Sequence, residues 1–220
     1  MTAQQDITLY YSPQTRATGT RILLEELKAP YTLHVLNMKI GEQRQPDYLA
    51  INPLGKVPAI RHGGTLVSEQ VAIVTYLADL FAQAGLTPAL DDPDRGSYLR
   101  WIAMYGSCFE PAVVDRHRGF IPETPNDTPY GRYEDLIDLI ETTLSTGPHL
   151  LGERLTAADI LWGTALAWTV MFGLVPPRPA IKAYVARMTE RQIYKAMTAE
   201  DAAMAKEHQA IADALKKDAG

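Results

Sequence analysis

Apolar and polar side chains alternate over Ile7, Thr8, Leu9, Tyr10 and Tyr11, a period of two that predicts a half-buried strand, broken by Ser12-Pro13. Ile22, Leu23, Leu24 and Leu27 then recur at helical spacing, and residues 31–36 read as a second strand, so the chain opens as βαβ. Pro46, Tyr48, Leu49 and Ile51 predict a short irregular helix, residues 57–61 a third strand, and Gly63-Gly64 a hairpin turn into Leu66-Val67. A helix follows from about Glu69, with Ile73, Tyr76, Leu77, Leu80 and Phe81 on one face.

The resulting order, βαβαββα, is that of a thioredoxin-like domain. Between residues 85 and 93 the composition shifts to Gly, Pro and Asp, and beyond it only helical patterns recur, over 94–109, 130–144, 156–172, 180–188 and 202–216. The predicted fold is therefore α/β followed by all-α, with domains at 1–84 and 93–220. Thr156 with Asp159 three residues on makes an N-cap and an acidic first turn for the helix over 156–172, a folding signal. Its apolar run over 160–175 is shorter than the roughly 20 residues that span a bilayer, which reads as a core helix.

Composition narrows the chemistry. The chain has 220 residues, an ordinary apolar fraction and a net charge of −5 without a basic block, so neither nucleic acid nor an anionic membrane is an expected partner. Residues 1–6 lack a basic, then apolar leader pattern, and a cytoplasmic location is expected. The single cysteine, Cys108, rules out an intrachain disulfide and a CxxC pair. No His, Cys, Asp or Glu cluster has metal-ligand spacing, so no metal is expected.

The stretch Ile51-Asn52-Pro53-Leu54-Gly55-Lys56-Val57-Pro58-Ala59-Ile60, followed by Ser68-Glu69-Gln70, carries the most specific chemistry. A proline in an apolar, strand-like run belongs at the strand's start or edge, where the Val57-Pro58 bond can be cis and the backbone of Val57 can pair with an extended peptide. Lys56 can meet a carboxylate. Glu69 can take an ammonium, and the N–H groups where the next helix begins can hold a second carboxylate. Together these residues describe a socket for a small zwitterionic peptide.

The same residues resemble the glutathione-binding half of the cytosolic glutathione transferase family, and the resemblance extends over nearly the whole chain. It implies a cis Val57-Pro58 bond, pairing of the Val57 backbone with the cysteinyl part of glutathione, and a γ-glutamyl end held by Glu69 and Gln70. Gln70 stands where the family often has serine. Lys56 and Gln43 match positions that meet the glycyl carboxylate in some classes. The resemblance further implies glutathione as co-substrate, a small electrophile as second substrate, a detoxification role and a homodimer. The dimer would join helices near residues 71–81 and 94–109.

Such an enzyme must hold a thiolate near neutral pH, whereas a free thiol has a pKa of about 8.5; lowering it by two units takes about 2.7 kcal/mol of preference for the anion. The turn from Tyr10 to Gly19 offers hydroxyls, a helix N-terminus and a cation. Counting back from Arg21, the family's serine-type position falls on Ala17 and its cysteine-type position on Arg16. Thr18-Gly19 resembles the Asn-Gly of bacterial members with disulfide-reductase activity. Thr18 is therefore the expected hydroxyl donor and Arg16 the electrostatic helper, with Ser12 and Tyr10 in reserve. Tyr10 and Tyr11 fit equally well as alternating core and surface positions of the strand.

In the second half, Trp101, Met104, Tyr105 and Cys108 share a helical face, which predicts core packing or a dimer interface and a buried thiol at Cys108. Tyr105 and Glu110 are candidates for the electrophile site, Glu110-Pro111 standing where cysteine-type members carry helper residues. His117, between Arg116 and Arg118, reads as a solvated loop position. The expected function is transfer of glutathione to an electrophile. Glutathione-dependent disulfide reductase or peroxidase chemistry on the same fold, and a non-catalytic binding module, are the alternatives.

Overall fold

The computed structural model describes residues 6–218. The leader-free reading of residues 1–5 lies outside them. Packing divides the chain into two compact units: the chain up to Ile73 together with the chain from Gln192, and Val74–Arg191. The C-terminal helix is thus grouped with the N-terminal elements, whereas the expected division kept it with the other helices.

In the first unit, β1 (Ile7–Tyr11), β2 (Thr32–Val35), β3 (Ala59–His62) and β4 (Thr65–Ser68) form one sheet in the order β2-β1-β3-β4. β1 runs parallel to β2 and antiparallel to β3, which is antiparallel to β4. This is the mixed sheet expected of a thioredoxin-like domain. α1 (Ala17–Glu26), α2 (Pro46–Leu49) and α9 (Gln192–Asp218) belong to the same unit, and α3 (Gln70–Leu80) starts there. The predicted helix over 202–216 is the later part of α9.

Tyr10 and Tyr11 point to opposite faces of the sheet, as successive strand residues must, yet both are buried. Tyr10 packs with Leu36, Tyr48 and Ala59, its ring 5.1 Å from His34 and 5.6 Å from Tyr48. Neither tyrosine is a surface residue, because β1 is a central strand covered on both sides. Sequence alternation registers only one of those sides.

In the second unit, α4 (Arg95–Met104) runs through a π turn (Tyr105–Phe109) into α5 (Glu110–Arg118). It is followed by α6 (Tyr133–Ser145), α7 (Ala157–Met171) and α8 (Pro179–Thr189). The helix predicted over 94–109 therefore continues past Pro111. The wider turn, closed by the Glu110 N–H on the Tyr105 carbonyl, accommodates the proline that would otherwise clash with the preceding turn. His117 consequently sits at a helix end.

Trp162 on α7 lies at the centre of this unit. Its ring is 5.3 Å from Trp101 and 4.8 Å from Phe109, and its Nε1–H donates to the Trp101 carbonyl at 2.9 Å. Gly163 beside it has no side chain for a packing reason: a Cβ there would lie 2.7 Å from Met188 of α8. The N-terminus of α7 carries the expected capping box, with Asp159 Oδ2 accepting from the Thr156 N–H at 2.8 Å. The buried face of α3 comprises Ile73, Val74, Leu77 and Ala78, with Phe81 buried just past its end; Tyr76, predicted to join it, is exposed. Among the described residues no helix is long and apolar enough to cross a membrane.

Candidate active site

The sheet register brings the chemistry to one end. β1 ends at Tyr11, just before Ser12; Ala59 opens β3 opposite Tyr10, and Ser68 closes β4 opposite Ala59. Val57-Pro58, Glu69-Gln70 and the turn after β1 are therefore neighbours.

The loop before Val57 is held from within. Asn52, buried, accepts the Leu54 N–H at 3.2 Å and donates its side-chain amide to the Lys56 carbonyl at 2.9 Å. The Tyr48 hydroxyl donates to the same carbonyl at 2.6 Å. Burial pushes the Tyr48 hydroxyl up to about 12, so it remains a donor. Gly55 is required twice over: its φ is +58°, and a Cβ would approach the Gln43 carbonyl to 2.7 Å. The Val57-Pro58 bond is cis, Val57 is half-buried, and the Lys56 side chain is exposed. Gln43 is half-buried, and its Oε1 has no hydrogen-bond partner among the described residues.

Glu69 has φ +67°. A non-glycine residue pays about 1–2 kcal/mol for that left-handed conformation, and such strain concentrates at functional sites. Its carbonyl accepts the Ile73 N–H at 2.9 Å as α3 begins, while its side chain is exposed. Gln70 donates its side-chain amide to the Arg16 carbonyl at 3.1 Å, joining the start of α3 to the first turn of α1. Arg16 itself is exposed.

At that turn the Thr15 hydroxyl donates to the Ser12 carbonyl at 2.7 Å and accepts the Ala17 N–H at 3.2 Å. Thr15 therefore serves the end of α1. Thr18, the expected thiolate donor, gives its hydroxyl proton to Asp201 Oδ1 at 2.9 Å. One hydroxyl carries one proton, so this arrangement leaves Thr18 none for a ligand. Tyr10 is packed into the sheet core. Ser12 is buried and lines a cavity of about 260 Å³ with Gln14, Thr15, Lys39 and His208.

Asp201 on α9 was not foreseen. It also accepts from the Tyr11 hydroxyl and the Gln14 N–H. Burial, then the hydrogen bond to Asp201, raises the Tyr11 hydroxyl above its ordinary range, so Tyr11 stays protonated. The one sequence signal is its place a helical turn after Met197, which is buried.

In the second unit the Tyr105 hydroxyl donates to Glu110 Oε1 across the π turn. Tyr105 is buried, 5.9 Å from the Trp162 ring, and Glu110 is half-buried. Cys108 is not the buried thiol expected. The π turn adds a residue to the turn, so Tyr105 and Phe109 point inward while Cys108 is half-exposed, its Sγ 3.6 Å from the Pro129 carbonyl.

Residues 14–80 match the family description "Glutathione S-transferase, N-terminal domain", and residues 130–192 match "Glutathione S-transferase, C-terminal domain". The chain is 30% identical to the glutathione S-transferase GstA of Escherichia coli O157:H7, over 87% of this chain and 98% of that one. It is also 30% identical to the disulfide-bond oxidoreductase YfcG of Escherichia coli K12, over 84% of this chain and 91% of that one. A Sulfitobacter glutathione transferase homologue, solved with bound glutathione, superposes with a TM-score of 0.73 at 28% identity, covering 91% of this chain and 99% of that one. The chain belongs to the glutathione S-transferase family.

Proposed function

We propose that this chain is a glutathione transferase that binds reduced glutathione at the sheet end and adds its thiolate to a small electrophile. The observation that carries this reading is the convergence of cis Val57-Pro58, strained Glu69, Gln70 and the first turn at one place, in a chain of this family. Glu69 meets the ligand's ammonium. The first N–H groups of α3, with Gln70, take the γ-glutamyl carboxylate. The backbone of Val57, fixed by Pro58, pairs with the cysteinyl residue, and Lys56 and Gln43 serve the glycyl carboxylate.

Ser12 takes the role of hydroxyl donor to the thiolate, because it lines the cavity beside the turn while the Thr18 proton goes to Asp201. Arg16, exposed at the start of α1, adds positive charge. Positioning and stabilisation of the anion are the catalytic terms. The sulfur forms a bond to the electrophilic carbon, and the leaving group departs with its electron pair. Tyr105 and Glu110 are the residues proposed for the electrophile.

A second reading is a glutathione-dependent disulfide reductase, favoured by the 30% identity to a disulfide-bond oxidoreductase. There the thiolate attacks a disulfide, releasing one thiolate and forming a mixed disulfide, and a second glutathione thiolate displaces the other thiol to give glutathione disulfide, so no protein cysteine is needed. Parallel assays with an aryl halide, an organic peroxide and a small disulfide decide between them. Aryl halide turnover supports transfer, turnover of the disulfide alone supports reduction, and glutathione capture without turnover reduces the chain to a binding module.

A further inference from the structure

We propose that Asp201 is a positioning residue for the glutathione thiolate, resting on the glutathione reading above: its carboxylate holds the Ser12–Thr15 turn in the shape that faces the ligand. Asp201 is 6% exposed. It accepts the Gln14 N–H at 3.1 and 3.0 Å, the Thr18 hydroxyl at 2.9 Å and the Tyr11 hydroxyl. These donors belong to the turn, the first turn of α1 and the end of β1. The carboxylate thus ties together the three pieces of backbone that bracket Ser12.

Gln14 stands at φ +55°, a conformation that disfavours any residue with a Cβ. A buried acceptor aimed at its N–H stabilises that conformation. α1 has no acidic residue in its own first turn, and Arg16 at its N-cap makes no side-chain capping bond. Asp201 supplies the negative group that a helix N-terminus favours, from a helix far along the chain. Ala205 and His208 follow Asp201 at helical spacing and line the same cavity as Ser12. The anchor therefore fixes both walls of that cavity.

The charged and titratable groups that interact with Asp201 or its partners are Tyr11 from β1, Arg21 from α1, and Tyr194 and Glu200 from α9, while Lys39 and His208 line the Ser12 cavity. Arg21 lies 5.7 Å from the Tyr11 ring centre and pairs with Glu200. A carboxylate at this place opposes a nearby thiolate by charge alone. Removing it therefore separates two roles by sign. Loss of a mere repulsion lowers the thiol's midpoint, whereas loss of the positioned turn raises it.

The experiment is an ultraviolet titration of the thiolate of bound glutathione in wild type, Asp201→Asn, and Asp201→Asn with Gln14→Gly. Folding is checked by capture on immobilised glutathione. Asp201→Asn is expected to raise the midpoint by about one pH unit. Gln14→Gly is expected to restore it, because glycine adopts the positive φ unaided. A lowered or unmoved midpoint in Asp201→Asn, or no rescue by Gln14→Gly, overturns the assignment. Should Asp201→Asn lose glutathione capture, the midpoint is read in Tyr11→Phe, which removes one donor to Asp201 and leaves Thr18 intact; a rise supports the role, and no change or a fall refutes it. Wild type that captures no glutathione refutes the glutathione reading and the assignment with it; a normal wild-type titration with an unmoved variant refutes the assignment alone.

Discussion

Gln70 hydrogen-bonds the carbonyl of Arg16 at 3.1 Å, so the residue that begins α3 and the residue that precedes α1 are fixed to each other across the sheet end. The Gln70 amide thus spans a gap to the first turn. A serine hydroxyl, on a shorter side chain, is less suited to that reach.

Glu69→Ala is expected to lower glutathione affinity roughly tenfold, because a charge-assisted partner of the ammonium disappears. Gln70→Ala should weaken affinity and also lower turnover at saturation, since it frees the first turn. Isothermal titration and steady-state kinetics on folded variants measure the two effects. Unchanged affinity in Glu69→Ala would remove the socket assignment.

Ser12→Ala is expected to raise the midpoint of the bound thiol by about one pH unit, through loss of a hydrogen bond that favours the anion. Thr18→Val should shift it far less, because the Thr18 proton already goes to Asp201. Cys108→Ser should remain active, since the bond made in turnover uses the ligand's sulfur. The pH dependence of turnover in all three variants is the check. A large shift in Thr18→Val alone would return the donor role to that residue.

The local signals were legible in the chain, and the distant ones were not. The cis Val57-Pro58 bond and the helix start at Glu69-Gln70 lie in short strings where residue type and spacing suffice to predict them. β1, α3 and the hairpin followed from periodicity. The alternation gives Tyr10 and Tyr11 one core and one surface position, whereas both are buried, because a strand pattern cannot report a second covering layer. Cys108 was misplaced because a single π turn shifts the phase of a helix without any change in composition. Asp201 meets its partners across 183 to 190 positions, a separation over which side-chain pairing leaves no local trace.

A homodimer, if this chain forms one, would rest on residues other than the aromatic stripe of α4. Trp101 and Tyr105 are already buried within their own unit. Tyr76 on α3 and Leu99 on α4 are instead exposed, and Asp79 of α3 binds Arg95 of α4 through two hydrogen bonds of 2.8 and 2.7 Å. Exposed apolar side chains on two linked helices suit a contact between copies. Wild type should scatter light as a dimer at micromolar concentration, and Tyr76→Glu/Leu99→Arg as a monomer. A monomeric wild type would end this assignment.

Asp159 is expected to govern stability and leave glutathione affinity untouched. Its side chain, fully buried, accepts the Leu150 N–H and the Thr156 N–H at 2.8 Å each, the Thr156 hydroxyl at 3.0 Å and the Tyr184 hydroxyl at 3.1 Å. Asp159→Ala leaves the Leu150 and Thr156 donors without an acceptor, while the Tyr184 hydroxyl keeps the carbonyl of residue 159 at 3.2 Å, and opens a small void. Each unpaired donor costs about 1–3 kcal/mol, and relaxation or water recovers part of the sum, so a net loss of about 3–5 kcal/mol is expected. For a chain of this size that corresponds to a Tm about 10 °C lower. Differential scanning calorimetry of Asp159→Ala tests the size of the effect, and titration with glutathione below the transition tests its confinement to folding. A Tm within two or three degrees of wild type would show that the buried donors find other partners.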